Sequence, residues 1–304
     1  MEKFIDLRTG SFEQLESLVK KHGNIYFLSA NSEISDTVMN CRHNYKFIVA
    51  VPHSGALVPY ELLPYFENHN KTIEILFSEG IDHYSEQIYA LMPQGGTLVY
   101  SLVNRFFGDK NRLRNDTSDT GVLRTKDFEG RTIRSVEFPL HIKEKLLTRF
   151  YDPFHMLLRY LVKEKLKNSG YSFVINGHTM QECEGRPVFY IGTADGASYP
   201  FTDEFCNALE SSIKNEICIR ESLTRFSSII ELNTGLYKGQ GITSMYHKPE
   251  EGMFAILCEV NQGLYMNKHI TKNERAADMF ILERIRESIG IATLQATKQI
   301  EKNI

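Results

Sequence analysis

Phe47-Ile-Val-Ala-Val-Pro-His-Ser-Gly-Ala56 is an apolar, β-branched run that stops on an imidazole followed at once by a turn. Apolar residues without polar alternation predict a strand buried on both faces, as in a sheet covered by helices. His53 then sits at the strand end, where a side chain is rigidly held yet opens on a crevice. That placement suits a metal ligand or a catalytic base. A second run, Tyr171-Ser-Phe-Val-Ile-Asn-Gly-His178, ends the same way. Two histidines delivered by two buried strands can converge on one ion, although either alone also reads as an ordinary polar residue.

Working outward, strand-like runs rich in β-branched and aromatic residues lie near 73–78, 97–103, 188–192, 228–233 and 253–260. Helical periodicity marks Tyr84 to Met92, Pro139 to Asn168, Thr202 to Asn215 and Lys272 to Ile291. Alternating strands and helices predict an α/β layer structure around a largely buried mixed sheet, with some strands antiparallel. The polar, aperiodic stretch from Gly108 to Val136 predicts a long surface excursion, a feature that often carries function. No repeat or low-complexity linker divides the chain, so a single domain over 1–304 is expected.

The composition, 304 residues with 42% hydrophobic and 24% charged, is that of a globular protein with ample length for a core. A net charge of -3 carries no footprint for nucleic acid or an anionic membrane. The N-terminus lacks the apolar centre of a secretion signal, and no apolar run approaches bilayer length. Both point to a cytoplasmic protein. The five cysteines, Cys41, Cys183, Cys206, Cys218 and Cys258, are odd in number and lack short-range pairing, which argues against a disulfide framework or a thiolate zinc cluster.

Three further places could carry chemistry. Asp82, in Glu79-Gly-Ile-Asp-His-Tyr84, lies where a strand is expected to give way to a helix. It reads first as a helix cap and second as a carboxylate ligand beside the histidines, with His83 as a neighbouring alternative. Arg105, Asn111 and Arg112, in Val103-Asn-Arg-Phe-Phe-Gly-Asp-Lys-Asn-Arg112, could bind a substrate carboxylate through forked hydrogen bonds. The alternative pairs either arginine with Asp109 or Asp116. Glu259 interrupts the apolar run Phe254-Ala-Ile-Leu-Cys-Glu-Val-Asn261, which is costly unless the carboxylate is paired, coordinated, open to a cleft or simply outward-facing.

No Gly-x-Ser-x-Gly elbow, Walker loop, His-Glu-x-x-His helix or Cys-x-x-Cys pair is present. Gly239-Gln-Gly241 lacks the context of a dinucleotide fingerprint and reads as a tight turn against which backbone or ligand can pack. Metal-assisted hydrolysis is the chemistry that remains.

From about residue 48 to 268 the chain resembles the N-formylglutamate amidohydrolase family. The likeness rests on segments in order: Val51-Pro-His-Ser-Gly55, Asp82, Asn104-Arg-Phe-Phe-Gly-Asp-Lys-Asn-Arg112, Phe150-Tyr-Asp-Pro-Phe-His155 and the His178 segment. Ile191-Gly-Thr-Ala-Asp-Gly196, Asn233 to Gly241 and Cys258-Glu-Val-Asn-Gln-Gly-Leu-Tyr-Met266 complete it. The resemblance implies a single-domain mixed sheet flanked by helices, phosphorylase/hydrolase-like and similar to zinc carboxypeptidases and aspartoacylases. It implies Zn2+ held by His53, Asp82 and His178, with Glu259 as the base. Asn111 and Arg112 are implied to grip a terminal carboxylate, with Arg105 available for a second carboxylate or the carbonyl oxygen. His155 helps hold the site or packs beside it.

The implied activity is hydrolysis of the amide of a small N-acyl amino acid, with no organic cofactor and no nucleic-acid or membrane partner. The alternatives are an amidase for another acylated amino acid or peptide, and a catalytically weak binding homologue. The chain departs from the family pattern at Asn176, where an aspartate is usual two residues before the second histidine. It also departs at Asn261-Gln262, in place of Asn-Arg, and at Gly239-Gln240-Gly241, in place of a Gly-Gly pair.

Overall fold

Strand β3, Phe47–Val51, is buried at every residue, and the sheet grows around it. The structure is a computed structural model that describes residues 26–28, 37–40, 44–57, 59, 62, 65, 75–76, 79–134, 136–182, 185–216, 219, 222–235, 237–266 and 277–304. The other strands are β1 (Tyr26–Leu28), β2 (Thr37–Asn40), β4 (Gly96–Ser101), β5 (Ser172–Met180), β6 (Phe189–Gly192), β7 (Ile230–Leu232) and β8 (Met253–Asn261). Together they form an eight-stranded sheet in the order β1-β2-β4-β3-β5-β8-β6-β7. Strands β4, β3, β5 and β8 are parallel, while β2 and β6 pair antiparallel to β4 and β8. The expected mixed α/β sheet is present.

Helices α1 (Ser85–Ile88), α2 (Leu140–Leu146), α3 (Asp152–Ser169), α4 (Pro200–Asn215), α5 (Ile242–Tyr246) and α6 (Met279–Asn303) flank it. Strand parity sorts the core. Phe47, Val49, Val51, Phe173, Ile175, Ile256 and Cys258 join α4 and α6 residues such as Leu209 and Ile289 in one cluster. Ile48, Ala50, Val174 and Ala255 pack with Phe154 and Leu158 of α3 and Ile242 of α5 in another. Apolar cover on both faces is why the central strands read as uninterrupted hydrophobic runs.

The helix ends follow local chemistry. The Asp278 carboxylate accepts from the backbone N–H of Phe280 and Ile281 to start α6. Gly170, at φ 75°, ends α3 with its N–H donating to the Leu166 carbonyl. Residues Leu147–Tyr151 form a wider turn between α2 and α3, with the Asp152 N–H donating five residues back to Leu147.

Several expectations are corrected. Ile75 and Leu76, placed in a strand near 73–78, are helical. The helix expected over 84–92 shrinks to α1 and a single 3₁₀ turn at Met92–Gln94. Helix α6 begins at Met279 and runs to Asn303, past the expected end; of its expected start, residues 272–276 lie outside the described residues. The excursion from Gly108 is irregular as expected but does not stay at the surface: Asp109, Lys110, Arg124, Asp127 and Arg134 are buried. Cys206 and Cys258 are free thiols; Cys41, Cys183 and Cys218 lie outside the described residues.

Candidate active site

The carboxyl ends of the parallel strands β3, β5 and β8 converge on one crevice edge, the usual ligand position in such sheets. His53 follows β3, and the Asp82 N–H donates to the His53 carbonyl at 2.9 Å, stitching the Asp82 loop to the strand end. His178 and Glu259 are register partners on β5 and β8. Their parity places both on the face covered by α3 and α5. Cys258, the residue before Glu259, belongs to the opposite cluster.

Asp82 is not a helix cap. The N-cap of α1 is Tyr84, at φ 61°, and the Asp82 carboxylate turns towards the two histidines. Its Oδ2 lies 2.9 Å from His178 Nδ1 and 3.5 Å from His53 Nδ1. One ligand atom from each of His53, Asp82 and His178 falls within 4.8 Å of the others, and all three residues are buried. His83 is buried but lies outside this group.

The donor set fits a cation. His53 Nε2–H donates to Asp109 Oδ1 at 2.7 Å, while His53 Nδ1 is buried without a hydrogen-bond partner. Burial lowers the His178 imidazole to about 4, so near neutral pH it carries a single ring proton. Two acceptors compete for that proton, Asn176 Oδ1 at 2.9 Å from Nε2 and Asp82 Oδ2 at 2.9 Å from Nδ1; a cation beside Asp82 would leave it on Nε2. In that tautomer both Nδ1 lone pairs would face the Asp82 carboxylate, an arrangement that a cation between them satisfies. Burial alone would raise the Asp82 carboxyl, but the facing His178 and His53 rings outweigh it and hold it well below the usual carboxylate range. Two imidazole nitrogens and a carboxylate oxygen at this spacing form a three-membered nitrogen and oxygen ligand set, one short of a closed tetrahedral site.

Glu259 is buried, which removes the outward-facing reading. Among the described residues no hydrogen bond or ion pair holds its carboxylate. Burial pushes its pKa well above the carboxylate range, the Asp82 charge adds to that, and Arg105 opposes it. A carboxyl poised this way is unusual outside functional sites.

Asp109 is the hub of the buried loop. Its Oδ1 accepts from His53 and from the Asn111 N–H at 2.9 Å. Its Oδ2 accepts from Arg105 Nη2 at 3.1 Å and from Arg124 Nε at 3.4 Å. Arg105 therefore realises the alternative pairing with Asp109, and its Nη1 also lies 3.6 Å from Asp82 Oδ1. Arg112 makes neither anticipated ion pair; its Nε and Nη1 donate to the carbonyls of Thr120 and Asn111. Asn111 Oδ1 accepts from Ile242 N–H and Asn176 Nδ2. His155 packs behind the loop, donating from Nε2 to the Lys110 carbonyl at 2.9 Å.

Sequence reasoning treated Asp109 only as a possible arginine partner and overlooked Arg124. Arg124 is fully buried, with Phe128 stacked 4.5 Å from its guanidinium. Asp109 lies within the quoted segment, two residues before Asn111, and that was the available signal. Arg124 had none, because it reaches the site from an irregular loop. The Gly239-Gln240-Gly241 turn is as expected: Gly241 has φ 64°, and a Cβ there would fall 2.2 Å from the Asn111 carbonyl oxygen.

Comparison with known proteins bears on this geometry. A family model described as N-formylglutamate amidohydrolase matches residues 45–266. The N-formylglutamate deformylase of Pseudomonas aeruginosa is 23% identical over 212 residues, covering 64% of this chain and 75% of that protein. The crystal structure of an N-formylglutamate amidohydrolase from Ralstonia eutropha superposes with a TM-score of 0.69 at 18% identity, over 89% of this chain and 100% of the other. A gene product of Agrobacterium tumefaciens superposes with a TM-score of 0.63 at 15% identity, over 89% and 98%. These superpositions establish the fold, and the family match spans most of the chain, including every candidate site residue. The chain belongs to the N-formylglutamate amidohydrolase family, whose members are amide-bond hydrolases.

Proposed function

We propose that this protein is a zinc-dependent amidohydrolase that cleaves the amide of an N-acyl amino acid of the N-formylglutamate type. The observation that carries the reading is the convergence of two imidazoles and the Asp82 carboxylate beside Glu259 on the adjacent strand, whose carboxylate has no hydrogen-bond partner among the described residues. The name of the Pseudomonas relative points to the same substrate class.

His53 Nδ1, Asp82 and His178 Nδ1 would hold the ion, which when bound supplies Lewis acidity to the scissile carbonyl and lowers the pKa of a nearby water. Glu259 takes a proton from that water as its oxygen adds to the carbonyl carbon. The same carboxyl returns the proton to the leaving nitrogen as the C–N bond breaks. Asn111 and Arg112 grip the substrate carboxylate, and the Arg105 guanidinium faces charge developing on the carbonyl oxygen. The ordinary single-domain organisation over 1–304 and the zinc identity belong to this proposal.

Glu259→Gln tests it, since the amide keeps the size of the side chain but cannot accept the proton. Turnover of N-formyl-L-glutamate should fall roughly a hundredfold or more with zinc content unchanged. Near-native turnover removes Glu259 as the base. Loss of zinc from this variant would make it a ligand instead.

A further inference from the structure

We propose that Asn176 is a positioning residue that ties the metal ligand His178 to the substrate anchor Asn111, a double role that requires an amide. The proposal rests on the reading of Asn111 given above. The order of donors and acceptors begins at a backbone group that cannot invert. Ile242, first residue of α5, donates its N–H to Asn111 Oδ1 at 3.0 Å. The Asn111 amide is therefore oriented with oxygen inward. Asn176 must meet that oxygen with a donor, and its Nδ2 lies 3.1 Å away. The second Nδ2 proton goes to Thr243 Oγ1 at 3.2 Å.

With both amide protons committed, Asn176 presents Oδ1 to His178 Nε2 at 2.9 Å. With a cation between His178 Nδ1 and Asp82, this acceptor would hold the ring proton on Nε2 and leave the Nδ1 lone pair to the ion. The side chain is fully buried, so no solvent competes for these bonds. At its other end the same network leaves Asn111 Nδ2 without a protein partner among the described residues, available to a substrate carboxylate.

An aspartate at 176 would serve His178 and fail Asn111. Its second oxygen would face Asn111 Oδ1 at the distance now bridged by a proton, and acceptor would oppose acceptor. Asn111 would then have to turn its amide, abandoning Ile242 or withdrawing Nδ2 from the site. The amide gives His178 a weaker acceptor than a carboxylate and in exchange keeps the two halves of the site in register.

Asn176→Asp separates the two functions. The zinc dissociation constant, read by competition with a chromophoric chelator, should stay native or tighten. The inhibition constant of glutarate, a plain dicarboxylate probe, should weaken about tenfold, and KM should rise by a similar factor with a smaller change in kcat. In Asn111→Ala, adding Asn176→Asp should weaken glutarate no further, because the effect passes through Asn111. Native glutarate affinity in Asn176→Asp, or additive effects in the double variant, overturns the proposal. If Asn176→Asp does not fold, Asn111→Ala decides: it frees the Asn176 amide and should loosen zinc several-fold, and unchanged zinc affinity overturns the proposal. A native protein that binds zinc and glutarate but hydrolyses no N-acyl amino acid defeats the functional reading, while the two binding constants still judge Asn176.

Discussion

Arg112 and Arg105 show how one residue type takes different duties within a single segment. Arg105 is spent on Asp109 and Asp82, so its charge is already partly neutralised. Arg112 is half-buried and, among the described residues, its hydrogen bonds go to neutral carbonyls, while its charge acts on Asp109 and Asp116 without a direct ion pair; its donors remain better placed for an incoming anion than those of Arg105. A forked guanidinium offers two parallel charge-assisted hydrogen bonds that an ammonium cannot reproduce. Arg112→Met should therefore lower kcat/KM by about tenfold to a hundredfold, on the order of 1.5–3 kcal/mol, and Arg112→Lys should recover little of it. Steady-state kinetics with N-formyl-L-glutamate and its carboxylate amide decide the matter. If amidation of the substrate harms the native enzyme and Arg112→Met equally, the carboxylate is read elsewhere.

Element packing explains how buried polar residues are held at these positions. The N-terminal end of α3 supports the Lys110–Arg112 segment by two backbone carbonyls: His155 donates to Lys110 O, and Tyr151 Oη donates to Arg112 O at 2.8 Å. The wide turn at Leu147–Tyr151 sits where this support is needed, and such turns are frequent near functional sites. Behind the sheet, Tyr89 Oη reaches the carbonyls of both His178 and Cys258, at 3.1 and 2.5 Å, bracing β5 and β8 beneath His178 and Glu259. Gly177 makes room for that ring, since a Cβ there would lie 2.7 Å from it. Gly177→Ala should therefore destabilise the fold by about 1–3 kcal/mol, seen as a lower midpoint in urea. An unchanged midpoint would show that the strands can part without cost.

Across the whole molecule, an ion held at this site would act on stability, and so do protons. A ligand that binds only the folded state stabilises it by mass action, by about 2.7 kcal/mol at a hundredfold excess over Kd. Chelation should lower Tm on the order of 5–10 °C, and His53→Ala should make Tm insensitive to chelator. Retention of a full chelator response in that variant would remove His53 from the ligand set. His155 adds a pH dependence. Burial lowers its imidazole to about 3, below the unfolded value near 6.5. The unfolded chain thus binds a proton that the folded one refuses, and stability falls as pH drops from about 6.5 towards 3, with a slope approaching 1.4 kcal/mol per pH unit. His155→Gln, which keeps a donor for Lys110 O, should lessen that slope between pH 6.5 and 4.5 in urea titrations of the chelated protein, where the buried His178 contributes in the same sense. An equal slope would assign the acid sensitivity to other groups.

Local sequence pattern accounts for the central strands and the α/β class, and it singles out the residues that the fold brings together at the candidate site. Those signals are local: a strand covered on both faces must be apolar at every position, and a polar residue ending or interrupting it has to have a partner or a purpose. His53, His178 and Glu259 were legible for that reason. Asp82 was ambiguous, because one carboxylate before a helix satisfies a cap or a cation equally well; the Tyr84 N-cap removes the first reading, and the approach of Asp82 to both histidines supports the second. The hub at Asp109, the buried Arg124 and the chain of bonds from Ile242 through Asn111 and Asn176 to His178 were decided by tertiary structure alone. They join residues far apart along the chain through irregular segments, where no periodicity records which way a side chain faces. Short β1 and β2 escaped notice for a related reason: their strand character comes from hydrogen bonds to neighbours in the sheet rather than from a pattern within themselves.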